Sequence, residues 1–484
     1  MSVSFRWIRA THVCRYWRSA AIDCASLWTH LRYEDPPKLV EAMLKRSRGA
    51  PVDVLWRHHM ISPSDHSSLA ASLPQMNRIR SLKILSRDGG NPGTLLQLPG
   101  LPHWVEQAST LEELEIHIMR TGAGLRLPET FLQGGLPALS SLKVLGCVVG
   151  LNLLSCPTNL TVLNLRGRFA VPITARVFLA TFGQMRLLRT LFLYKCLDFS
   201  PDIAANAPLF AFPSLRYLEV EDQTKNINRF LQLTRSDTAT TVILNFLEPQ
   251  AHIVDSSEQS LGNILTWWGY STPATKLHVR HFNQGSSLQL EIDFDLDTGE
   301  LGAGGDYALQ GKNHLSIVFP APFSLRKFLD ILQERFDFRT LTSISDHEPP
   351  IDDWYSDTWS FFAGFPDLQK ITLSRPVSGE IRDLFEALQG SDPLGTHQPM
   401  PFPSLSILNI SCKFLDKTPA SGGMTFRQFV TAFTVVAKHR KLSDCPISEL
   451  HIKDLGIVEA AKVALLRERN PGLTVVWDGE SLAE

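Results

Sequence analysis

Apolar residues recur along this chain at the spacing L-x-x-L-x-L. Copies stand at Ile79-Leu82-Ile84, Leu111-Leu114-Ile116, Leu139-Leu142-Val144, Leu160-Leu163-Leu165, Leu188-Leu191-Leu193 and Leu215-Leu218-Val220. Their starts lie 32, 28, 21, 28 and 27 residues apart. Wider-set copies follow at Leu368-Ile371-Leu373, Leu405-Leu408-Ile410 and Ile447-Leu450-Ile452. In each copy the last two apolar positions alternate with other residues, which is the period of a strand buried on one face. Each copy predicts a short strand, and the chain between copies must return to start the next strand. A helix over Ile457–Arg469 and a strand over Leu473–Trp477 close the pattern.

Four copies are introduced by an apolar residue and proline: Leu136-Pro137, Phe212-Pro213, Phe365-Pro366 and Phe402-Pro403. Proline fixes its own φ and disfavours helix in the residue before it, so it ends the returning segment and admits the strand. Periods in the twenties are those of leucine-rich repeats. The expected fold is therefore α/β, an irregular leucine-rich-repeat-like solenoid. Cys147 and Cys196 lie three residues past the last apolar position of their copies, where such repeats carry an inward Asn or Cys that bonds the bend. They are read as structural.

The interval 239–320 breaks the rhythm. Strands are expected at Thr241–Phe246, Lys276–Val279, Ser287–Phe294 and His314–Phe319, with turns at Asp297–Gly299 and Gly302–Gly305. Pro322–Phe336 reads as an amphipathic helix through Leu325, Phe328, Leu329, Leu332 and Phe336. Ser343–Trp359, acidic and aromatic, reads as a loop. The expected division is a helical segment at 1–35, a linker helix and strand at 36–77, and repeats at 78–238. An irregular strand-rich insertion at 239–360 and C-terminal repeats with a capping helix and strand at 361–484 follow.

The start of the chain, WIRATHVCRYWRSAAIDCASLWTHL over residues 7–31, is dense in tryptophan, cysteine and arginine. As a helix over 7–24 it places Val13, Trp17, Ala20, Ala21 and Cys24 on one face, which reads first as an ordinary buried stripe. The first 22 residues hold four arginines and no acid, as a mitochondrial presequence would. Two tryptophans and two cysteines suit packing better than import.

Thr11 to Arg18 (THVCRYWR), followed by Ser26-Leu27-Trp28, resembles the second half of an F-box as found in large fungal F-box families. There V-C-x-x-W precedes L-W by about ten residues. A helix-like Pro37–Arg46 and a turn into Val52-Asp53-Val54 extend the likeness over roughly the first 55 residues. The resemblance implies docking on the Skp-type adaptor of cullin–RING ubiquitin ligases through Val13, Cys14, Trp17, Leu27 and Trp28. One departure stands out. An F-box opens with Leu-Pro-x-Glu and an amphipathic helix, which supply much of the adaptor contact, and this sequence begins after that point. Either the start lies further upstream or part of the dock has been lost.

Lys and Arg number 47 against 49 Asp and Glu, and no basic run occurs, which excludes nucleic acid as a partner. No apolar run reaches membrane-span length, so no membrane partner is expected. Seven scattered cysteines favour a reducing compartment, cytoplasmic or nuclear, over a disulfide framework. The sequence has no G-x-S-x-G, H-E-x-x-H, P-loop or C-x-x-C, and Gly302–Gly305 reads as a turn, so no catalytic residue, metal or cofactor is assigned. His58, His59, Asp65 and His66, and separately Asp346, Glu348, Asp352 and Asp353, fit no ligand spacing and read as solvated loops.

Residues alternating with the leucines face away from the core. Glu113, Glu115, Arg166 and Glu219 are among them, and Phe192, Tyr194 and Tyr217 form an aromatic group on adjacent copies. Aromatics at such positions either capture a protein or lie under a loop. The expected function is a non-catalytic substrate-recognition subunit of a cullin–RING ligase, holding its target on these seven residues. The alternative is a protein-binding scaffold with no ligase role, in which the first helix only caps the repeats.

Overall fold

The computed structural model describes residues 12–32, 35–58, 73–86, 108–118, 125–126, 136–148, 159–167, 173–199, 209–236, 241–247, 263–264, 267, 276–282, 287–294, 313–320, 329–330, 333, 338–346, 355–374, 376, 378–390, 400–411, 424–453 and 460–477. The architecture is α/β. The chain divides into two compact units, Met1–Ala239 and Thr240–Glu484.

In the first unit, helix α1 (Arg15–Asp23) and a 3-10 turn (Ala25–Trp28) lead into strand β1 (His30–Arg32). Helix α2 (Pro37–Arg46) precedes β2 (Val52–His58). Then come β3 (Ile79–Ser86), β4 (Glu113–Ile118), β5 (Ser141–Leu145) and β6 (Val162–Arg166). Helix α3 (Ala175–Phe182), β7 (Thr190–Tyr194), β8 (Tyr217–Asp222) and helix α4 (Thr224–Leu233) follow. Each strand from β1 to β8 pairs in parallel with the next one in chain order. The apolar positions align across the sheet: Leu82 opposite Leu114, Leu114 opposite Leu142, and so through Leu163, Leu191 and Leu218. All six are at most 1% exposed, so one face of the sheet is core from edge to edge.

The proline punctuation has a definite geometry. Leu136, Phe365 and Phe402 are buried, and their carbonyls accept from the amides of Leu139, Leu368 and Leu405, three residues on. Proline thus takes the second position of a tight turn, where its fixed φ is already suitable. The same bond runs from Leu111 to Ala108 and from Leu188 to Met185 without proline, so the turn rather than the proline is the constant feature.

Behind the sheet, Phe178, Phe199, Phe212 and Phe230 pack ring against ring, with centroids 5.5 to 6.4 Å from Phe178. A buried polar brace lies beside them. Asn226 of α4 donates to the Leu197 carbonyl (2.7 Å) and to Asp222 (2.8 Å), while accepting from the Phe199 amide (3.0 Å). Asp222 in turn accepts from the Leu197 amide at 3.0 Å. The backbone of Leu197–Phe199, whose first two residues pair on one side with Ile173–Thr174, is thereby satisfied on its other side. Cys147 and Cys196 are buried, and the Cys147 thiol reaches the Leu145 carbonyl at 3.7 Å.

The second unit carries β9 (Thr241–Phe246), β10 (Lys276–Phe282), β11 (Ser287–Phe294), β12 (Asn313–Pro320) and β13 (Ser343–Asp346). It continues with α5 (Tyr355–Phe362), β14 (Lys370–Leu373), α6 (Ser378–Gln389) and β15 (Ile407–Ser411). It ends with α7 (Phe426–Leu442), β16 (Glu449–Lys453), α8 (Ala460–Arg469) and β17 (Thr474–Trp477). Its sheet runs β9-β12-β11-β10-β13-β14-β15-β16-β17, and only the β12-β11 and β11-β10 pairings are antiparallel. The break in rhythm at 239–320 is therefore an antiparallel meander inside an otherwise parallel sheet.

Two expectations are corrected. Ser343–Trp359 is not a loop: its start is strand β13, and its end lies in α5, where Trp359, Phe361 and Phe362 are buried. The acids and prolines between them obscured two short apolar ends. The opening helix is also shorter than expected. It starts at Arg15, with Cys14 as its cap, so Val13 lies outside it, and of its residues only Ala21 is buried. The expected helix 322–336 (apart from Leu329, Asp330 and Gln333) and the turns at 297–305 lie outside the described residues.

Candidate functional site

The first element of interest is α1. The Cys14 thiol accepts from the Trp17 amide at 3.5 Å, doing the work of a Ser or Thr cap. Val13, Tyr16, Trp17, Ile22 and Leu27 are 70, 78, 56, 39 and 36% exposed. Among the described residues nothing covers these five side chains, although at 100° per residue Tyr16, Trp17 and Ile22 stand on different sides of α1. Single exposed apolar residues need no explanation; the residue of note is Trp17, a large aromatic left more than half exposed.

Trp28 behaves oppositely. It is 3% exposed, its Nε1–H donates to the Ala21 carbonyl at 2.8 Å, and the Arg46 guanidinium lies 4.3 Å from its ring centre. Arg48 adds an exposed pair to Asp23 at 3.0 Å. Of the five adaptor-binding candidates, Val13, Cys14, Trp17 and Leu27 lie at the surface, whereas Trp28 is the anchor that holds α1 against the 3-10 turn and α2. At the end of α1, the exposed Cys24 thiol bonds Ser26 at 3.3 Å, which lowers its pKa.

The second element is the open face of β1–β8, where half-buried side chains alternate with the core leucines. Two clusters form on it. In the first, Glu113 accepts from Lys83 at 2.9 Å and from Ser81 at 2.9 Å, with Lys143 at 4.0 Å. Burial alone would raise the Glu113 carboxyl; these hydrogen bonds and the lysine charges outweigh it and hold the group below its ordinary 4.5. Beside it, Asp53 takes both nitrogens of an Arg80 fork, at 3.1 and 2.8 Å, and His30 at 3.3 Å. These groups wall a groove of about 340 Å³.

In the second cluster, four of the expected target-binding residues meet. Arg166 donates to Glu219 at 2.7 Å, and Tyr217 donates to the other Glu219 oxygen at 2.8 Å. Phe192 lies 4.9 Å from Tyr217, and the Arg166 guanidinium sits 5.3 Å from the Phe192 ring centre. Burial, then the Glu219 charge, pushes the Tyr217 phenol up. Tyr194 is on the next row, with Lys195 4.8 Å from its ring centre. Glu115 belongs to neither cluster. The aromatic patch is thus half-buried and open rather than roofed by a loop among the described residues.

Sequence reasoning missed Arg80, Asp53, Ser81 and Lys83. The signal available was their position one or two residues from the core apolar residues of adjacent copies. Among the described residues no group of three or more His, Cys, Asp or Glu is placed to hold a metal ion. His59, Asp65, His66, Glu348, Asp352 and Asp353 lie outside the described residues. No helix among the described residues is long and apolar enough to cross a membrane.

The class defined by fold and surface is an α/β protein with an open, charged and aromatic sheet face and a first helix that carries an exposed tryptophan. A scan against family models finds no match, and no curated protein matches the chain.

Proposed function

We propose that this protein is the substrate-recognition subunit of a cullin–RING ubiquitin ligase, with a leucine-rich-repeat-like solenoid as its target-holding part. The N-terminal segment resembles the second half of an F-box, and it would dock the Skp-type adaptor through Val13, Cys14, Trp17 and Leu27. The observation that carries the reading is the 56% exposure of Trp17 on a helix held in place by a different, buried tryptophan. An indole left in water on a helix held by another tryptophan is costly unless a partner covers it. The parallel strands at repeat spacing, with a polar and aromatic face opposite the leucines, support the second half of the proposal. Such a subunit does no bond chemistry; it raises the effective concentration of a target lysine near the transferring subunits. The described cysteines, Cys14, Cys24, Cys147, Cys196 and Cys445, are all free, which suits a cytoplasmic or nuclear location.

The test is capture of purified chain by an immobilised Skp-type adaptor, alone and with Trp17→Ala. Capture that Trp17→Ala abolishes supports docking. No capture, even with an upstream Leu-Pro-x-Glu segment supplied, sinks the ligase role and leaves a repeat scaffold whose working surface is the sheet face.

A further inference from the structure

The sheet of the second unit ends on β17, which pairs with β16 and, among the described residues, with no other strand. The ladder shows which backbone groups face outward. The Thr474 amide donates to the Ser448 carbonyl at 2.9 Å. Successive residues of a strand bond to opposite sides, so Thr474 and Val476 bond β16, while the N–H and C=O of Val475 and Trp477 face the free edge. Thr474–Trp477 reads TVVW, β-branched and aromatic with no charge and no proline, and Val476 is 39% exposed. Such an edge is a template for another strand.

One acceptor on that edge is already taken. The Arg467 guanidinium, in the last turn of α8, donates through Nη2 to the Val475 carbonyl at 2.8 Å. The partner that this bond obstructs follows from the alternation. If β17 paired antiparallel with its own copy, outward-facing residues would have to meet outward-facing residues. The twofold axis would then pass at Val475 or at Val476. On the first register Val475 exchanges bonds with Val475 of the second copy, on the other with Trp477 of the second copy. Either way the Val475 carbonyl must accept from the incoming strand, and Arg467 holds it.

We infer that Arg467 guards the terminal sheet edge: it occupies the carbonyl through which a second copy of this chain would pair with β17, and so keeps the chain monomeric. A charged side chain laid on an edge is a general defence against strand addition. Here the charge comes from the helix that precedes the strand, because the strand itself has none. A guanidinium on a carbonyl is a charge-assisted bond, stronger than the amide-to-carbonyl bond an incoming strand offers in its place. The inference is independent of adaptor docking.

The test is the solution mass of the full chain, measured by sedimentation velocity at loadings from about 1 to 100 µM. The parent should hold its 54.1 kDa throughout. Arg467→Met keeps an apolar stem and removes the fork; it should pair with a Kd of about 50 µM, at least about tenfold tighter than the parent. Arg467→Lys keeps the charge and a donor and should pair less than Arg467→Met. Trp477→Pro removes an amide that faces the free edge and makes no ladder bond to β16, so added to Arg467→Met it should restore the monomer. Far-UV circular dichroism checks the fold, and Arg467→Gln takes the place of Arg467→Met if that variant does not fold. A variant without the guanidinium that associates no more than the parent overturns the inference. So does association that survives Trp477→Pro, or a parent that already pairs until Trp477→Pro is introduced.

Discussion

Two tryptophans eleven residues apart carry opposite predictions. Trp28→Ala deletes a side chain that is 3% exposed, its 2.8 Å bond to the Ala21 carbonyl and its contact with Arg46. A buried tryptophan covers roughly 200 Å², which at about 25 cal/mol per Å² is about 5 kcal/mol. Measured aromatic-to-alanine changes of about 3–5 kcal/mol bracket the same range. The hydrogen bond adds about 1 kcal/mol. Trp28→Phe keeps most of the ring and forfeits the bond, for about 1–2 kcal/mol. Trp17→Ala removes a mostly exposed side chain and should change stability by no more than about 0.5 kcal/mol. Because the chain holds two units, a single unfolding curve would blur the effect. Hydrogen exchange read by mass spectrometry on peptides spanning 15–32 and 37–58 resolves it. Trp28→Ala should strip protection from α1 and β1, Trp28→Phe should do so partly, and Trp17→Ala not at all, although only Trp17→Ala need be tested for lost adaptor capture with the helix intact. Equal loss of protection in Trp17→Ala and Trp28→Ala would refute the division of labour between the buried and the exposed tryptophan.

Three further expectations follow from the first unit. Asn226→Ala leaves the Leu197 carbonyl, the Phe199 amide and an Asp222 oxygen short of a bond and should cost about 2–5 kcal/mol; a urea midpoint within error of the parent would show the brace to be dispensable. Glu113 titrates below its ordinary 4.5 in the folded chain, so its contribution is present above that value and lost as pH falls through the lower native one. The melting-temperature advantage of the parent over Glu113→Gln should therefore shrink below pH 4.5 and persist at neutral pH. Burial pushes the Cys147 thiol up to about 12 and Cys196 higher still, whereas Cys24 is exposed and lowered. Alkylation mapped by mass spectrometry should label Cys24 first and reach Cys147 and Cys196 only on unfolding; early labelling of Cys196 would contradict its placement.

The strands of the first unit were legible because burying one face of a sheet imposes a local period of two, and a repeated apolar spacing stacks those strands in register. Leu191 and Leu218 could be paired on paper from that spacing alone. Helices α3, α4 and α6 were not, because their apolar positions follow no pattern shared between copies, and α4 hides a buried Asn226 that reads as surface. Pairings across long separations were equally invisible: Arg166 meets Glu219 only because two strand steps bring together residues 53 apart. The N-terminal tryptophans show the limit most plainly. Residue type made both aromatic and both apparent members of one docking motif. Which one went inside was settled by α2, whose Arg46 covers Trp28 while no described residue covers Trp17. Hydrophobic spacing dictates that an element has an apolar face; whether that face is sealed or left open depends on what the rest of the chain places against it, and that is a property of three dimensions.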